Sequence, residues 1–427
     1  MSEGGAQEAE EEEQQRELRV DGRGAAAKRP RREGSAGSGS DSSGLLREVV
    51  VVEPFGSGSH LQLCETLEAR LRRQGGGEAV RVVTLPGGSK WHWRMLVSSW
   101  FFKEEIPKVA PERASDTTVL FVSMLNVAEL VGLRPDLAAT RKVVFMHENQ
   151  LEYPSSNEEA SKSKGQASFN LVWNQVVSCV QAEAVAFNSR FNMDSFFAKL
   201  GPFVNRIPHP CRPTNFPHEQ LRAKSRVLFL PVELPLALSN RSWGGPLRLV
   251  WAHRWEHDKD PAALMRFVES WEAEADTPVI SLAVLGDVSP SGKVAFMEAQ
   301  AKVAELTKVE IRNWGRLEDK EQYVQMLRTS DLALSTSLHE FFGIAMVEAA
   351  TCGCFPLCPN RLSYPELFPK DCLYNTDRQL LKKVKSFSRR VNAPRAALAG
   401  NAEWTARLER FQWERGLGDQ WRNFLRV

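Results

Sequence analysis

The stretch REVVVVEPFGSGSHLQLCETLEARLRRQGGG, residues 47–77, decides the fold of this chain. It begins with a continuous β-branched run, passes through the glycine-containing loop FGSGSH, and then places Leu61, Cys64, Leu67 and Leu71 at helical spacing. A buried strand, a short loop and an amphipathic helix in this order form the unit from which parallel sheets are built. The stretch therefore predicts an α/β fold.

The same alternation continues along the chain. The runs AVRVVTLP, TTVLFVSML, KVVFMHEN, AEAVAFNS and SRVLFLPVELP predict five further strands with helices between them. Turn residues in LALSNRSWGGP (236–246) interrupt the pattern, and LRLVWA, ISLAVLGD, VEIRNWG, DLALSTS and CFPLCP then predict a second series. Near-continuous apolar strands imply doubly wound parallel sheets covered on both faces, so we expect two Rossmann-like domains with a cleft between them.

Length and composition support this division, because 427 residues that are 42% hydrophobic can build two cores. Residues 1–44 contain almost no aliphatic side chains and predict a disordered tail. We expect an N-terminal domain over residues 45–238 and a C-terminal domain over residues 246–395. An amphipathic helical segment, residues 396–427, is expected to pack on the body.

Charge and cysteine content narrow the class of protein. The tail carries seven basic and ten acidic residues, so the remaining chain, with 48 basic and 43 acidic residues, is only mildly basic. This balance permits a local nucleic-acid surface but does not favour a chain bound wholly through phosphate contacts. The seven cysteines fit a reduced interior, and Cys352, Cys354 and Cys358 are expected to be core thiols rather than metal ligands.

No segment predicts a signal peptide or a membrane span, so we expect no membrane insertion and a cytoplasmic location. The cluster KRPRR (Lys28 to Arg32) leaves a nuclear location open, since it is consistent both with an import signal and with an ordinary basic cluster in a tail.

The segment HEFFGIAMVEAA, residues 339–350, predicts a ligand site at the carboxyl end of a strand. A loop follows the strand DLALSTS, and a helix is expected from Gly343 onward, so its first amides offer a positive dipole to an anion. Glu348 lies about 7 to 8 Å along that helix, a distance that suits a ribose beyond a bound diphosphate. Glu340 precedes the helix and is either a sugar ligand or a partner of the helix dipole.

Three other loops follow strands and carry candidate ligands. WAHRWEHDKDP contains Arg254 and Lys259, a fork and a point charge suited to a diphosphate, although a solvated basic loop is the alternative. FGSGSH is consistent with a ligand loop or a tight turn. MHENQ contains His147, which either contacts a substrate hydroxyl or bonds a neighbouring loop. No cysteine pair or HExxH spacing predicts a zinc site.

KWHWR is predicted to be a loop after a strand, where two tryptophans among basic residues suit a splayed nucleotide. The alternative is that the tryptophans anchor the start of a helix. The candidate acceptor residues are Lys90, Trp91, His92, Trp93 and Arg94.

In combination, these motifs resemble the retaining nucleotide-sugar glycosyltransferases of the GT-B architecture, family 4-like. Glu340 and Glu348 match the E-x7-E pattern of that group, and Arg254 with Lys259 match its diphosphate-binding pair. The closer resemblance is to the tRNA-queuosine α-mannosyltransferase family, over about residues 48–427. It is carried by LPGGSKWHWR, FMHENQLEYP, AFNSRFNMDSF, WAHRWEHDKDP, HEFFGIAMVEA and CGCFPLCPNRLSYPELFP.

The resemblance implies transfer of mannose from GDP-mannose to the cyclopentene diol of queuosine in the anticodon of aspartate tRNA, with retention at the anomeric carbon. We expect the N-terminal domain to receive the acceptor and the C-terminal domain to bind the donor. No metal cofactor is expected, since the cations and the helix dipole can stabilise the leaving diphosphate, and no obligate protein partner is evident. The residues carried over by position are Arg254 and Lys259 for the leaving diphosphate, Glu348 for the ribose, Glu340, Phe341, Phe342 and Gly343 for the mannose, His147 for the sugar from the opposite domain, and Gly56, Ser57 and Gly58 for a loop over the phosphates. This last loop departs from the Gly-Gly pair common in the broader group.

Two other classes of function remain open from the residues alone. One is a GT-B enzyme that acts on a lipid or a glycan, and the other is a non-catalytic module that binds a nucleotide-sugar or RNA.

Overall fold

The computed structural model describes residues 47–73, 79–85, 91–122, 124–153, 161–238, 244–289 and 292–427. The predicted tail, with Lys28 to Arg32, lies outside the described residues. The described chain belongs to one compact unit, Leu45–Val427.

Two six-stranded sheets form the frame of this unit, and every strand pairing in them is parallel. The strand orders are β2-β1-β3-β4-β5-β6 and β12-β11-β10-β7-β8-β9. The predicted pair of doubly wound sheets is thus confirmed; β12, with two residues, escaped prediction because so short a strand has no pattern. The strands are β1 Glu48–Glu53, β2 Ala79–Thr84, β3 Thr117–Val122, β4 Arg141–Met146, β5 Ala184–Phe187, β6 Ser225–Val227, β7 Leu247–Ala252, β8 Ile280–Leu285, β9 Val309–Trp314, β10 Leu332–Leu334, β11 Phe355–Pro359 and β12 Leu373–Tyr374.

Helices connect the strands and cover both sheets, with short 3-10 turns between some of them. The α-helices are α1 Gly58–Arg73, α2 Trp91–Glu105, α3 Val127–Leu133, α4 Ser161–Gln181, α5 Arg190–Val204, α6 His218–Ala223, α7 Pro261–Ala273, α8 Lys293–Ala304, α9 Lys320–Arg328, α10 Ile344–Thr351, α11 Tyr364–Leu367, α12 Asp377–Ser388, α13 Ala393–Leu398, α14 Ala402–Glu409 and α15 Leu417–Leu425. The 3-10 turns are Pro111–Asp116, Pro135–Leu137, His257–Lys259, Lys370–Cys372 and Trp413–Arg415.

Strand β1 explains why the opening apolar run is continuous. Val49 and Val51 point into one apolar cluster and Val50 and Val52 into another, and all four side chains are buried. Because successive side chains of a strand face opposite sides of its sheet, a strand covered on both faces needs apolar residues at every position.

The start of α7 is set by local chemistry that the sequence predicts. Asp260 caps the helix, accepting a hydrogen bond from the Ala263 amide at 3.0 Å, and Pro261 occupies the first turn. Because Pro has no amide hydrogen, it fits where a helix has no acceptor to offer. This start lies directly behind the loop that carries Arg254 and Lys259.

The last helix, α15, packs against the first sheet although it follows the second in the chain. The Leu425 carbonyl accepts a hydrogen bond from the Thr118 hydroxyl at 2.9 Å, and the Trp421 indole donates to the Phe229 carbonyl at 3.1 Å. The chain therefore crosses back to the N-terminal sheet. The predicted domain boundaries remain predictions.

Two other expectations concern the cysteines, predicted to be core thiols, and the absence of a membrane-spanning segment. Cys352, Cys354 and Cys358 are buried, and all seven cysteines are free. Among the described residues, no helix combines the length and the apolar character that crossing a membrane requires.

Replacing Arg395 should test how a buried charge ties α13 to the second sheet. The guanidinium is 2% exposed and bonds the Asp331 carboxylate at 3.1 Å, so we expect Arg395→Met to lower the free energy of unfolding by about 3 to 5 kcal/mol, measured by urea denaturation. The matched control is Arg266→Met, which removes an exposed pair with Asp377 and should cost less than about 1 kcal/mol. Equal losses would contradict this assignment.

Candidate active site

The site is built around the start of α10, where the segment predicted from HEFFGIAMVEAA lies. Gly343 caps the helix at φ +90°, and a Cβ there would lie 2.8 Å from the Tyr364 ring, so only glycine fits. The helix begins at Ile344, one residue later than expected. Its first amides have no partner within the helix and carry the positive end of its dipole.

Lys259 lies beside this helix start and is held by two carboxylates. Its ammonium is 3.0 Å from a Glu340 oxygen and 3.1 Å from an Asp258 oxygen, and it donates to the His339 carbonyl at 3.2 Å. The structure thus brings together two residues, Lys259 and Glu340, that the sequence analysis assigned to different parts of a donor. They act electrostatically as one unit.

Burial and ion pairing shift the pKa values of Lys259 and Glu340 in opposite directions, and the effect of pairing is larger. Burial would lower the pKa of Lys259, but Glu340 and Asp258 outweigh it and raise the pKa. Burial would raise the pKa of Glu340, but the charge and hydrogen bond of Lys259 outweigh it and lower the pKa below its ordinary 4.5. Both groups are therefore ionised near neutral pH. Burial, followed by the charge of Lys259, lowers the pKa of the neighbouring His253 to about 4, so that imidazole is neutral.

Arg254 differs from Lys259 in being accessible. Its side chain is half exposed and pairs with Glu256 at 3.2 Å, leaving a cation at the mouth of the cleft. A half-exposed guanidinium can turn toward an entering anion at little cost, because a surface pair contributes about 1 kcal/mol or less.

Glu348 lies on the buried face of α10 with two partners. It accepts a hydrogen bond from Gln62 of α1 at 3.2 Å and another from the Tyr323 hydroxyl of α9 at 3.0 Å. Burial raises its pKa, and these two hydrogen bonds oppose the rise. The contact with Gln62 bridges the two sheets, so Glu348 lies at the cleft with one oxygen directed at each partner.

The loop of Gly56, Ser57 and Gly58 joins β1 to α1 at the same edge of the first sheet. A Cβ on Gly56 would lie 2.5 Å from the Leu85 carbonyl oxygen, and Gly58 adopts φ +56°. Both glycines are therefore required by the backbone of this tight turn. Whether the loop also contacts a phosphate remains a prediction.

Three ionisable residues form a cluster beside this loop. Glu53 accepts from the Phe55 amide at 2.7 Å and pairs with His60 at 3.0 Å, and the His60 ring stacks on His147 with centroids 4.0 Å apart. The negative charge of Glu53 outweighs burial and raises the pKa of His60. Burial, followed by the charge of His60, lowers the pKa of His147 well below 6.5. The pKa values of the two stacked imidazoles are thus shifted in opposite directions.

Ligand atoms of Glu53, His60 and His147 all lie within 4.8 Å of one another, a combination that could hold a metal ion. Imidazole binds a metal through a lone pair in the plane of its ring. Two nearly parallel stacked rings cannot both aim such lone pairs at one ion, so the arrangement favours the hydrogen-bonded ion pair. The prediction that no metal is needed stays a prediction.

Aromatic contacts join the N-terminal half of the chain to the turn before α10. Tyr153, from the loop after β4, packs edge-on against His339 at 5.1 Å, and Phe191 of α5 lies 6.1 Å from Phe341. Phe342 is buried on the inner side of the turn. The turn of Phe341 to Gly343 therefore faces the N-terminal sheet, where His147 was expected to approach.

The candidate acceptor residues lie at the start of a helix rather than in a loop. Lys90 is outside the described residues, and residues 91–94 form the first turn of α2. The predicted loop was wrong and the alternative, a helix start, is confirmed, whereas an acceptor role for these residues stays a prediction. The helix is favourable because residues 91–105 bury Met95 and Phe102 on one face. Arg94 donates to the Pro54 carbonyl at 2.9 Å, linking α2 to the loop after β1.

Several residues of the site escaped the sequence analysis. Glu53 ends an apolar strand, and its charge could have marked it, since unpaired buried carboxylates are rare. Gln62 and Tyr323 lie on helices far apart in the chain, and no local pattern reveals that both bond Glu348.

Comparison with known proteins shows which families the two halves of the chain match. The family of group 1 glycosyl transferases matches residues 240–371, and the N-terminal family of tRNA-queuosine alpha-mannosyltransferase matches residues 48–232. A glycosyltransferase from Rickettsia africae aligns with a TM-score of 0.57 at 13% identity, covering 89% of this chain and 98% of that one. A UDP-forming α,α-trehalose-phosphate synthase from Burkholderia xenovorans aligns with a TM-score of 0.56 at 11% identity, covering 90% and 99%.

These likenesses confirm the GT-B fold, and the family matches define the protein as a glycosyltransferase enzyme. A protein of Drosophila melanogaster, tRNA-queuosine alpha-mannosyltransferase, is 39% identical over 355 residues, 80% of this chain and 87% of that protein. The chain belongs to the tRNA-queuosine alpha-mannosyltransferase family.

The stabilising effect of the Lys259–Glu340 pair should depend on pH. Because the folded pKa of Glu340 is lowered, its contribution to the free energy of unfolding is present above the ordinary value of 4.5 and is lost as pH falls through the lower folded value. We expect Glu340→Gln to be destabilising at neutral pH and less so at about pH 4, as measured by urea denaturation at both. A penalty that is the same at both pH values would argue against the pair.

Proposed function

We propose that this glycosyltransferase moves mannose from GDP-mannose to the cyclopentene diol of queuosine in the anticodon of aspartate tRNA, with retention at the anomeric carbon. The acceptor class is supported by the name of the Drosophila relative. The observation that carries the proposal is the convergence of Lys259, Glu340 and the start of α10 at one point of the cleft.

Each part of the donor, beginning with its diphosphate, has a candidate binding group in this part of the cleft. The first amides of α10, Lys259 and the accessible Arg254 offer a dipole and two cations to the diphosphate. Glu348 lies four residues after Ile344, about one turn along α10. It accepts hydrogen bonds from two donors, so it can accept from two ribose hydroxyls in their place. Glu340 is left to accept from a hydroxyl of the sugar while it pairs with Lys259.

The chemistry follows from where charge develops. The bond between the anomeric carbon and the diphosphate oxygen breaks, and its electron pair leaves with the diphosphate toward Arg254 and Lys259. The acceptor oxygen then attacks from the same face, and its proton passes to a phosphate oxygen. Retention therefore requires no carboxylate nucleophile, and electrostatic stabilisation of the leaving group carries most of the catalysis.

The acceptor side includes an apolar stripe on α2. Trp93 and Trp100 are 55% and 57% exposed, and Leu96 and Val97 between them are also exposed, all at helical spacing. Lys103 lies over the Trp100 ring at 4.8 Å. Exposed aromatic rings with neighbouring cations suit the stacking of unpaired bases, which supports a tRNA acceptor.

The most informative experiment incubates the protein with labelled GDP-mannose and, separately, with tRNA that contains queuosine, the same tRNA with guanosine at that position, a lipid and a glycan. We expect label only in the queuosine tRNA. Label in the lipid or glycan would replace the proposed acceptor, and binding of the donor without transfer to any acceptor would favour a non-catalytic module.

Removing Lys259 should test the donor site. We expect Lys259→Ala to lower turnover at saturating donor at least about a hundredfold, because loss of one contact to the developing charge costs about 2.7 to 4 kcal/mol. Turnover is measured by transfer of label to tRNA. Since this change also leaves Glu340 unpaired, thermal unfolding of the variant must show that it is folded. A folded variant with near-normal turnover would exclude Lys259 from the diphosphate site.

Removing the tryptophans of α2 should test the acceptor surface. We expect Trp93→Ala and Trp100→Ala each to weaken tRNA binding by about 1 to 3 kcal/mol, the value of one stacked base, and to spare GDP-mannose binding. Met297→Ala on α8 is the control, since it removes another exposed apolar side chain. Loss of tRNA and donor binding together would point to a folding defect instead.

A further inference from the structure

The loop after β4 is held rigidly by amide side chains. Asn188 donates to the His147 carbonyl at 2.6 Å, and Gln175 donates to the Glu148 carbonyl at 3.0 Å. Asn149, the next residue, is wholly buried and donates to the neighbouring helix α5. The backbone of Glu148 is therefore fixed on both sides.

The carboxylate of Glu148 differs from the neighbouring amide side chains in its hydrogen bonding. Within the described residues it accepts no hydrogen bond, and it remains partly exposed in the cleft. It interacts electrostatically with His60 of its own sheet and with Arg254 and Lys259 of the opposite sheet, while Asp258 opposes it. Burial raises the pKa of Glu148 above its ordinary 4.5, and His60, Arg254 and Lys259 oppose the rise without reversing it.

A carboxylate at this position lowers the affinity for the diphosphate of the donor. Glu148 adds negative charge next to the two cations that bind a diphosphate, and like charges repel more strongly in a partly buried cleft. Among the residues that the structure describes, its side chain makes no hydrogen bond to the rest of the fold. Its placement is therefore best explained by a second ligand that enters from the N-terminal sheet.

We propose that Glu148 binds the acceptor, its carboxylate accepting hydrogen bonds from the two vicinal hydroxyls of the diol and holding the attacking oxygen against the anomeric carbon. This inference rests on the proposed function and names the residue that recognises its acceptor.

The chemistry of the two groups matches. An ionised carboxylate only accepts hydrogen bonds and has two oxygens, and a vicinal diol presents two hydroxyl donors at a similar separation. Because the loop is fixed, the diol loses its freedom on binding while the enzyme does not, which favours reaction of one hydroxyl. As it attacks, the reacting hydroxyl turns its hydrogen from Glu148 to a phosphate oxygen, which takes the proton, while the second hydroxyl keeps its hydrogen bond to Glu148. Glu148 thereby positions the acceptor and does not act as the base.

The test compares binding of tRNA that contains queuosine with binding of the same tRNA that contains guanosine. We expect Glu148→Gln to reduce this discrimination about ten- to a hundredfold, because the variant loses hydrogen bonds to a charged group. Its affinity for guanosine-containing tRNA should be unchanged. Its affinity for GDP-mannose should be at least that of the wild type, since a negative charge near Arg254 and Lys259 is gone.

Two further variants separate positioning from charge. Glu148→Asp keeps the charge but withdraws it by one methylene, so we expect it to lose discrimination while donor affinity stays at the wild-type value. Glu129→Gln removes an exposed carboxylate of α3 in the same half of the molecule and should change neither quantity. Thermal unfolding of all three variants checks that they are folded.

The outcomes distinguish this inference from the proposed function. If the wild type transfers no mannose to tRNA that contains queuosine, the proposed function itself is refuted. If it transfers mannose but binds both tRNAs equally, the role of Glu148 in recognising the diol is refuted. If the wild type discriminates and Glu148→Gln does so equally well, only the role of Glu148 is refuted. Weaker GDP-mannose binding by a folded Glu148→Gln variant would also overturn it, by assigning Glu148 to the donor.

Discussion

The site depends on one constraint, the parallel order of all the strands in both sheets. In a parallel sheet every loop that follows a strand opens at the same edge, so residues far apart in the chain meet there. The loops after β1, β4 and β7 and the start of α10 meet in this way. Contacts such as Tyr153 to His339 and Gln62 to Glu348 then join the two edges across the cleft.

Charges of opposite sign alternate across the cleft that this order creates. Glu53 pairs with His60 on one side, and Glu340 pairs with Lys259 on the other. Glu148 interacts with the cations of both sides. Because a buried charge is costly without a partner, each group fixes the ionisation of the next. The cleft thus holds carboxylates beside groups that can carry positive charge.

The sequence predicted the frame well, and the reasons are local. Apolar runs revealed the central strands because strands such as β1, β3, β4 and β8 are buried on both faces. Asp260 with Pro261 marked the start of α7 because capping involves neighbours in the chain. The helix that begins at Trp91 was only an alternative to a loop, since its apolar residues lie on both faces and hide the helical period. The partners of Glu348 were missed because they come from α1 and α9.

By itself the sequence determined the two α/β series, the spacing of Glu340 and Glu348, and the family resemblance. Those features are visible in the order and spacing of residues that are close together in the chain. Only the tertiary structure decided that Lys259 pairs with Glu340 and that Glu148 lies before the cations of the other sheet. Such pairings depend on how two sheets face each other, and the free energy that sets this arrangement comes from contacts between distant segments.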